Sequence, residues 1–104
     1  MSDTNAKDEF IKHVKDRKIL CAKVSHGSEC EEYGTKFLLK QGYTGTEYRS
    51  FLRKLDFDYD SGFGGQELYG LIWYTDGTWS SRGEYDGSEW WDYKRVPDVP
   101  EELK

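Results

Sequence analysis

Cysteine, methionine and long apolar runs are all scarce in this sequence. Two cysteines and one methionine in 104 residues rule out a disulfide-stapled scaffold. No apolar stretch approaches the roughly 20 residues of a membrane-spanning helix, and the first residues lack the charged-then-apolar pattern of a signal peptide. Neither a CxxC pair nor a Cys/His arrangement with zinc spacing occurs. The glycines from Gly62 to Gly65 are followed by neither a helix start nor a lysine, so no phosphate-binding loop is read there. The expectation is one cytoplasmic domain over 1–104, with 1–3 and 97–104 as flexible ends.

Rings and charges are abundant instead: 16% of residues are aromatic and 34% charged. Aromatic side chains bury a large area each, so a small core is feasible despite a modest aliphatic content. The net charge of −5 hides an asymmetry. Residues 1–54 hold 11 basic and 8 acidic side chains, a balance of +3, whereas 55–104 hold 4 and 12, a balance of −8. Eleven of the 17 aromatic residues also lie after residue 54. Either the two halves fold together and partly neutralise, which composition favours, or an acidic, ring-rich surface faces a basic partner.

Local patterns give the elements. Thr4 or Asn5 can cap a helix running to about Arg17, with Ala6, Phe10, Ile11 and Val14 on one stripe. Residues 19–25 read as a buried strand. From Tyr33 to Tyr43 the side chains alternate, and the two segments make a hairpin. Thr44 and Glu47 have capping-box spacing, and Tyr48, Phe51, Leu52 and Leu55 then recur at helical period. Residues 67–75 form a strand, and Asp76-Gly77 and Asp86-Gly87 are hairpin turn signals. The predicted architecture is an antiparallel α+β domain, order α-β-β-α-β-β-β, ending in a three-stranded meander.

Two-residue turns at both dipeptides set the register of that meander. Tyr74 then faces Trp79, Arg82 faces Trp91 and Glu84 faces Glu89. One face carries Ile72, Tyr74, Trp79, Tyr85 and Trp90, holds almost no charge and is taken as the core. The other carries Tyr69, Leu71, Trp73, Trp91 and Tyr93 among Ser80, Arg82, Glu84 and Glu89. Rings around an arginine are a common form of interface. Tyr69, Trp73, Arg82, Glu84, Glu89, Trp91 and Tyr93 are therefore the candidate partner-binding residues. The competing reading has helix 1 or the N-terminal hairpin cover this face, with Arg82 stacked between Trp91 and Leu71. A bulge at Gly83 would swap the later face assignments.

Asp56, Asp58, Asp60 and Glu67 stand at positions one, three, five and twelve of a loop after a helix, the spacing of an EF-hand calcium site. Ser61 occupies the position of the turn glycine, and Phe57 and Tyr59 are unusual within such a loop. The same residues also read as a short edge strand, with Leu55, Phe57 and Tyr59 inward and the acids in water, which discourages aggregation. For nucleophilic or acid–base chemistry only His26 with Cys30 and Glu84 with Glu89 offer neighbours, and whether Cys21 and Cys30 pair is left open.

Lys36, Lys40, Arg49, Arg53 and Lys54 could meet phosphates, but the net charge and the absence of a binding motif weigh against direct nucleic-acid binding. Conversely, Asp56, Asp58, Asp60, Glu84, Asp86, Glu89 and Asp92 could mimic DNA on a nucleic-acid-binding protein. The segment from Gln66-Glu-Leu-Tyr-Gly-Leu-Ile-Trp73 through Asp76-Gly-Thr-Trp79 and Arg82-Gly-Glu-Tyr-Asp-Gly-Ser-Glu-Trp-Trp91 to Pro97 and Pro100 resembles small bacteriophage-encoded proteins of unassigned function. That resemblance implies an accessory factor in the host cytoplasm that binds a host component; it carries over no catalytic residues. The sequence thus points to a non-enzymatic binding module with a protein partner and no cofactor. A DNA mimic and a calcium-binding module are the alternatives.

Overall fold

The computed structural model describes residues 3–27, 35–60, 66–85, 88–95 and 99–103, with the side chains of Asp3 and Asp60 outside that description. The Asp86-Gly87 turn, Cys30, the glycines of 61–65 and Pro97 fall outside it too. The elements in chain order are β1 (Asp3–Asn5), α1 (Ala6–Val14), β2 (Ile19–His26), β3 (Thr35–Leu39), α2 (Gly45–Lys54), β4 (Asp58–Asp60), β5 (Leu68–Tyr74), β6 (Trp79–Tyr85) and β7 (Ser88–Lys94), followed by a 3-10 turn, Glu101–Leu103. The domain is mixed α+β. Its main sheet has five antiparallel strands ordered β3-β2-β5-β6-β7, and β1 pairs with β4 in a second, two-stranded sheet. Those two short strands are additions to the expected order.

Both helices start on the side-chain caps that the sequence supplies. Asn5 Oδ1 accepts from the Asp8 N–H at 3.0 Å. The Thr44 hydroxyl and the Glu47 carboxylate exchange reciprocal bonds with backbone N–H groups, each at 3.1 Å, which satisfies donors that the first helical turn leaves unpaired. α1 ends three residues short of Arg17, because Lys15 turns into positive φ (48°) and its N–H caps the Ile11 carbonyl. One face of the main sheet is covered. Phe10 of α1 lies between Phe51 of α2 and Trp91 of β7, with ring centroids 5.5 and 6.0 Å away, both edge-on. Ala22, Val24, Leu39, Leu68 and Ile72 complete the core beneath them.

The meander differs from its expected register in one place, and the difference propagates. Leu71, Ile72 and Trp73 pair with Ser81, Ser80 and Trp79, one residue away from the expected partners. The reason is a three-residue connection. The Tyr74 N–H donates to the Thr78 carbonyl, leaving Thr75, Asp76 and Gly77 as the loop, with Gly77 at φ 90°. This is the hairpin in which glycine takes the left-handed position after a turn. The β6–β7 register matches expectation, with Arg82 opposite Trp91 and Glu84 opposite Glu89. Side chains alternate along a strand, so a one-residue slip moves whole strands to the other face. Ser80, Arg82, Glu89 and Trp91 therefore join Ile72 and Tyr74 against the helices, while Trp79, Tyr85 and Trp90 turn outward. The nearly uncharged core face expected for the meander is corrected accordingly.

Candidate functional site

Of the residues expected to form one exposed surface, Arg82, Glu89 and Trp91 are buried. The Arg82 and Glu89 side chains are 1% and 0% exposed, and Trp91 is 7% exposed. Arg82 enters the core because every direction of its fork meets an acceptor. Its Nη1 donates to Glu9 of α1 at 3.0 Å, and its Nη2 donates to Glu89 of β7 at 2.7 Å and to the Tyr59 hydroxyl of β4 at 2.8 Å. The Tyr59 hydroxyl donates in turn to Glu9. Glu89 also accepts from the backbone N–H groups of Glu67 at 2.7 Å and Leu68 at 3.0 Å, holding the entry to β5. The Trp91 ring lies 5.1 Å from the guanidinium carbon. Burial opposes the charge on Arg82, but Glu9, Tyr59 and Glu89 outweigh it and raise its pKa. Burial and the bond to Glu9 raise that of Tyr59. A buried charge is tolerated when it is paired and fully hydrogen-bonded. The network joins five elements of the fold, α1, β4, β5, β6 and β7.

Beside it runs a second polar chain. His13 Nε2 lies 2.7 Å from the Ser80 hydroxyl, which lies 2.8 Å from the Tyr74 hydroxyl, and the imidazole stacks on Trp91. Burial, with Arg17 and Arg82 nearby, lowers the His13 pKa despite an opposing contribution from Asp92. Ser80 is wholly buried, so the pair acts as an internal link between α1 and the sheet. Glu84 is exposed opposite buried Glu89. Tyr93 lies on the covered side at its rim, with the Arg17 guanidinium 4.0 Å from its ring.

Of the acidic segment, Asp58–Asp60 forms strand β4, and Leu55 to Phe57 connect it to α2. Tyr59 is 3% and Leu55 1% exposed, and Phe57 packs against the core. Asp56 and Asp58 both accept from the Asn5 side-chain amide, at 3.0 and 3.1 Å, and Asp56 pairs with Lys7 at 3.5 Å. The Asn5 bond and the Lys7 charge lower the Asp56 pKa. Glu67 lies 3.8 Å from His26. Among the described residues no group of three or more His, Cys, Asp or Glu side chains could hold a metal ion. His26 stacks on Phe57 at 4.4 Å, and its expected companion Cys30 lies outside the described residues. Cys21 is a free thiol.

The remaining surface is the sheet face away from the helices. Register places Lys23, Tyr69, Leu71, Trp73, Trp79, Ser81 and Trp90 there. Trp73 and Trp79 sit directly opposite each other on β5 and β6. Farther along β6, Gly83 faces Trp90 of β7, whose ring a Cβ at that position would meet at 2.9 Å. Trp73 and Trp90 are 39% and 41% exposed. A depression of about 390 Å³ lies between Lys23, Gln66, Tyr69, Leu71 and Ser81. Trp79 and Trp90 were missed by sequence reasoning, which kept Tyr69 and Trp73 on the correct face. Asp76-Gly77 was the available signal, since that dipeptide serves three-residue loops as well as two-residue ones. The chain matches no family model, no curated protein and no solved structure. No described helix is long and apolar enough to cross a membrane.

Proposed function

We propose that this protein is a non-enzymatic binding module that engages a partner protein through the sheet face opposite its helices. The observation that supports this reading is the helix-free rank of rings, Tyr69, Trp73, Trp79 and Trp90, on a rigid sheet. Tryptophan and tyrosine carry most of the energy in many interfaces, and a packed sheet presents them with little conformational cost on binding. Lys23 and the depression beside Tyr69 add a polar margin. The resemblance to small phage-encoded proteins makes a host protein the candidate partner.

Capture from host lysate by immobilised protein tests the reading. Trp73→Ala and Trp79→Ala together should abolish capture of a specific partner while leaving the near-ultraviolet circular dichroism of the buried aromatic core and the melting transition nearly unchanged. Capture should also survive about 0.5 M salt, because contact between apolar rings is not screened. Undiminished capture by the double variant would overturn the proposal. A complex dissolved by that salt and displaced by duplex DNA would favour a DNA mimic instead.

A further inference from the structure

β5 and β6 diverge before either strand ends. Their paired residues stop at Leu71 and Ser81, although β5 reaches back to Leu68 and β6 runs on to Tyr85. Beyond that point β6 stays with β7. Only the Arg82 side chain reaches back to β5, its Nε donating to the Leu68 carbonyl at 3.3 Å. The depression of about 390 Å³ opens at this divergence. It extends across β5 to Lys23 and Ser25 of β2, which register sets beside Leu71 and Tyr69 on the open face.

The lining points to an occupant. Ser25 is 7% exposed and faces the depression, yet its hydroxyl has no hydrogen-bond partner among the described residues. Buried polar side chains are rarely left so. Lys23 is exposed and makes no ion pair among the described residues, and no described carboxylate lines the depression. Lys36 of β3, beside Ser25 in register, adds to the positive potential. Lys23 and Ser25 stand two residues apart on one face of β2, about 6.6 Å along the strand. A carboxylate spans that separation, accepting from the hydroxyl through one oxygen and from the ammonium through the other. The Arg82 guanidinium is taken up on the covered side by Glu9, Glu89 and Tyr59. The ammonium of Lys23 matches a single negative charge, whereas a dianionic phosphoryl group is the ligand of arginine clusters. Tyr69 and Leu71 complete an apolar wall that suits the stem of a side chain.

We propose that the partner protein inserts an acidic side chain, aspartate or glutamate, into this depression, its carboxylate held by Lys23 and Ser25 and its stem against Tyr69 and Leu71. This rests on the protein-binding reading above and gives one of its contacts a chemical identity. Trp73 follows Leu71 by two residues on β5 and stands opposite Trp79. Residues two positions from the acid in an extended partner segment therefore meet the rings. The rings supply affinity, and the carboxylate decides which segment binds and in what register.

The test titrates the full chain with the blocked peptide acetyl-Leu-Thr-Glu-Thr-Leu-amide and with counterparts carrying Gln or phosphoserine in place of Glu. Binding is followed by the backbone and indole N–H resonances of the protein. The Glu peptide should bind about fivefold or more tightly than the Gln peptide and move the Lys23, Ser25 and Tyr69 amides. Lys23→Gln should erase that preference and Ser25→Ala should reduce it, both leaving the binding of the Gln peptide unchanged. Salt at about 0.5 M should narrow the preference, whereas contact with the rings persists. Equal binding of the Glu and Gln peptides, or a preference that survives Lys23→Gln, overturns the proposal and leaves the open-face reading intact. An absence of any shift at about 10 mM Glu peptide also overturns it. Binding of the phosphoserine peptide about tenfold or more tightly than the Glu peptide would assign the depression to a phosphoryl group and overturn it. Shifts around Ser25 that grow with protein concentration before peptide is added would assign the face to a second copy of the chain, and would overturn it too. Failure of the protein-binding reading registers separately, as undiminished partner capture by the Trp73/Trp79 variant.

Discussion

Trp90 and Trp91 are identical neighbours that the register sends to opposite sides of the sheet, so comparing Trp91→Ala with Trp90→Ala tests the whole arrangement of the meander. Trp91 stands edge-on to Phe10 at 6.0 Å, stacks on His13 and lies 5.1 Å from the Arg82 guanidinium. Its ring also fills the space above Gly70, where a Cβ would approach it to 2.9 Å. Truncating a tryptophan so enclosed costs about 3–5 kcal/mol, as lost transfer energy plus a cavity between α1 and the sheet. No hydrogen bond is lost with it, because Nε1 has no partner among the described residues. Trp90 is 41% exposed, so truncation there removes less buried surface and opens no internal cavity. Its cost should be smaller by about 2 kcal/mol. Urea unfolding followed by far-ultraviolet circular dichroism resolves the two. With a slope of about 1.5 kcal/mol per molar, Trp91→Ala should lower the midpoint by about 2–3 M. Equal midpoints, or a larger loss for Trp90→Ala, would refute the three-residue loop at Thr75–Gly77 and restore the opposite face assignment.

Glu89→Gln replaces a buried carboxylate that accepts from Arg82, Glu67 N and Leu68 N by an amide that must turn its NH₂ toward one set of donors. The expected loss is about 3–5 kcal/mol, read from the same denaturation curves, and a loss under about 1 kcal/mol would contradict the buried network. For His13 the folded pKa lies below its ordinary value of 6.5, first through burial and then through Arg17 and Arg82. The unfolded chain therefore takes up the proton first as pH falls. The stability contribution is complete above the unfolded value and declines as pH drops through it toward the folded one. Melting temperature should fall between about pH 7.5 and pH 5.5, and His13→Gln should flatten that slope. An unchanged slope in the variant would show that His13 is not its source.

The parts of the fold that were legible in the sequence are those encoded within a few residues. Thr44 and Glu47 announce the start of α2, since both members of the capping box lie in one turn. The alternation through Phe37 and Leu39 marks β3, Leu55 turns inward at the end of α2 as the helical period required, and Tyr59 turns inward from β4 as the strand reading required. What escaped depends on distant partners or on a single residue of spacing. Three residues of β1 carry no periodicity and become a strand only because β4 lies beside them. Arg82 reads as a surface residue because an unpaired guanidinium is rarely buried. Its acceptors come from positions 9, 59, 68 and 89, and no local window contains them together.

The loop at Asp76-Gly77 carries the largest consequence. Asp76 accepts from the Thr78 N–H at 3.0 Å, and this local bond belongs to the three-residue loop that places Gly77 at positive φ. One residue of slip there exchanges Arg82, Glu89 and Trp91 for Trp79, Tyr85 and Trp90 on the outward face. The exchange also recasts the charge asymmetry between the two halves of the chain. Arg82, a cation of the acidic half, is neutralised by Glu9 of the basic half, and Lys7 of the basic half pairs with Asp56. These cross-pairs are part of the attachment of α1 to the sheet.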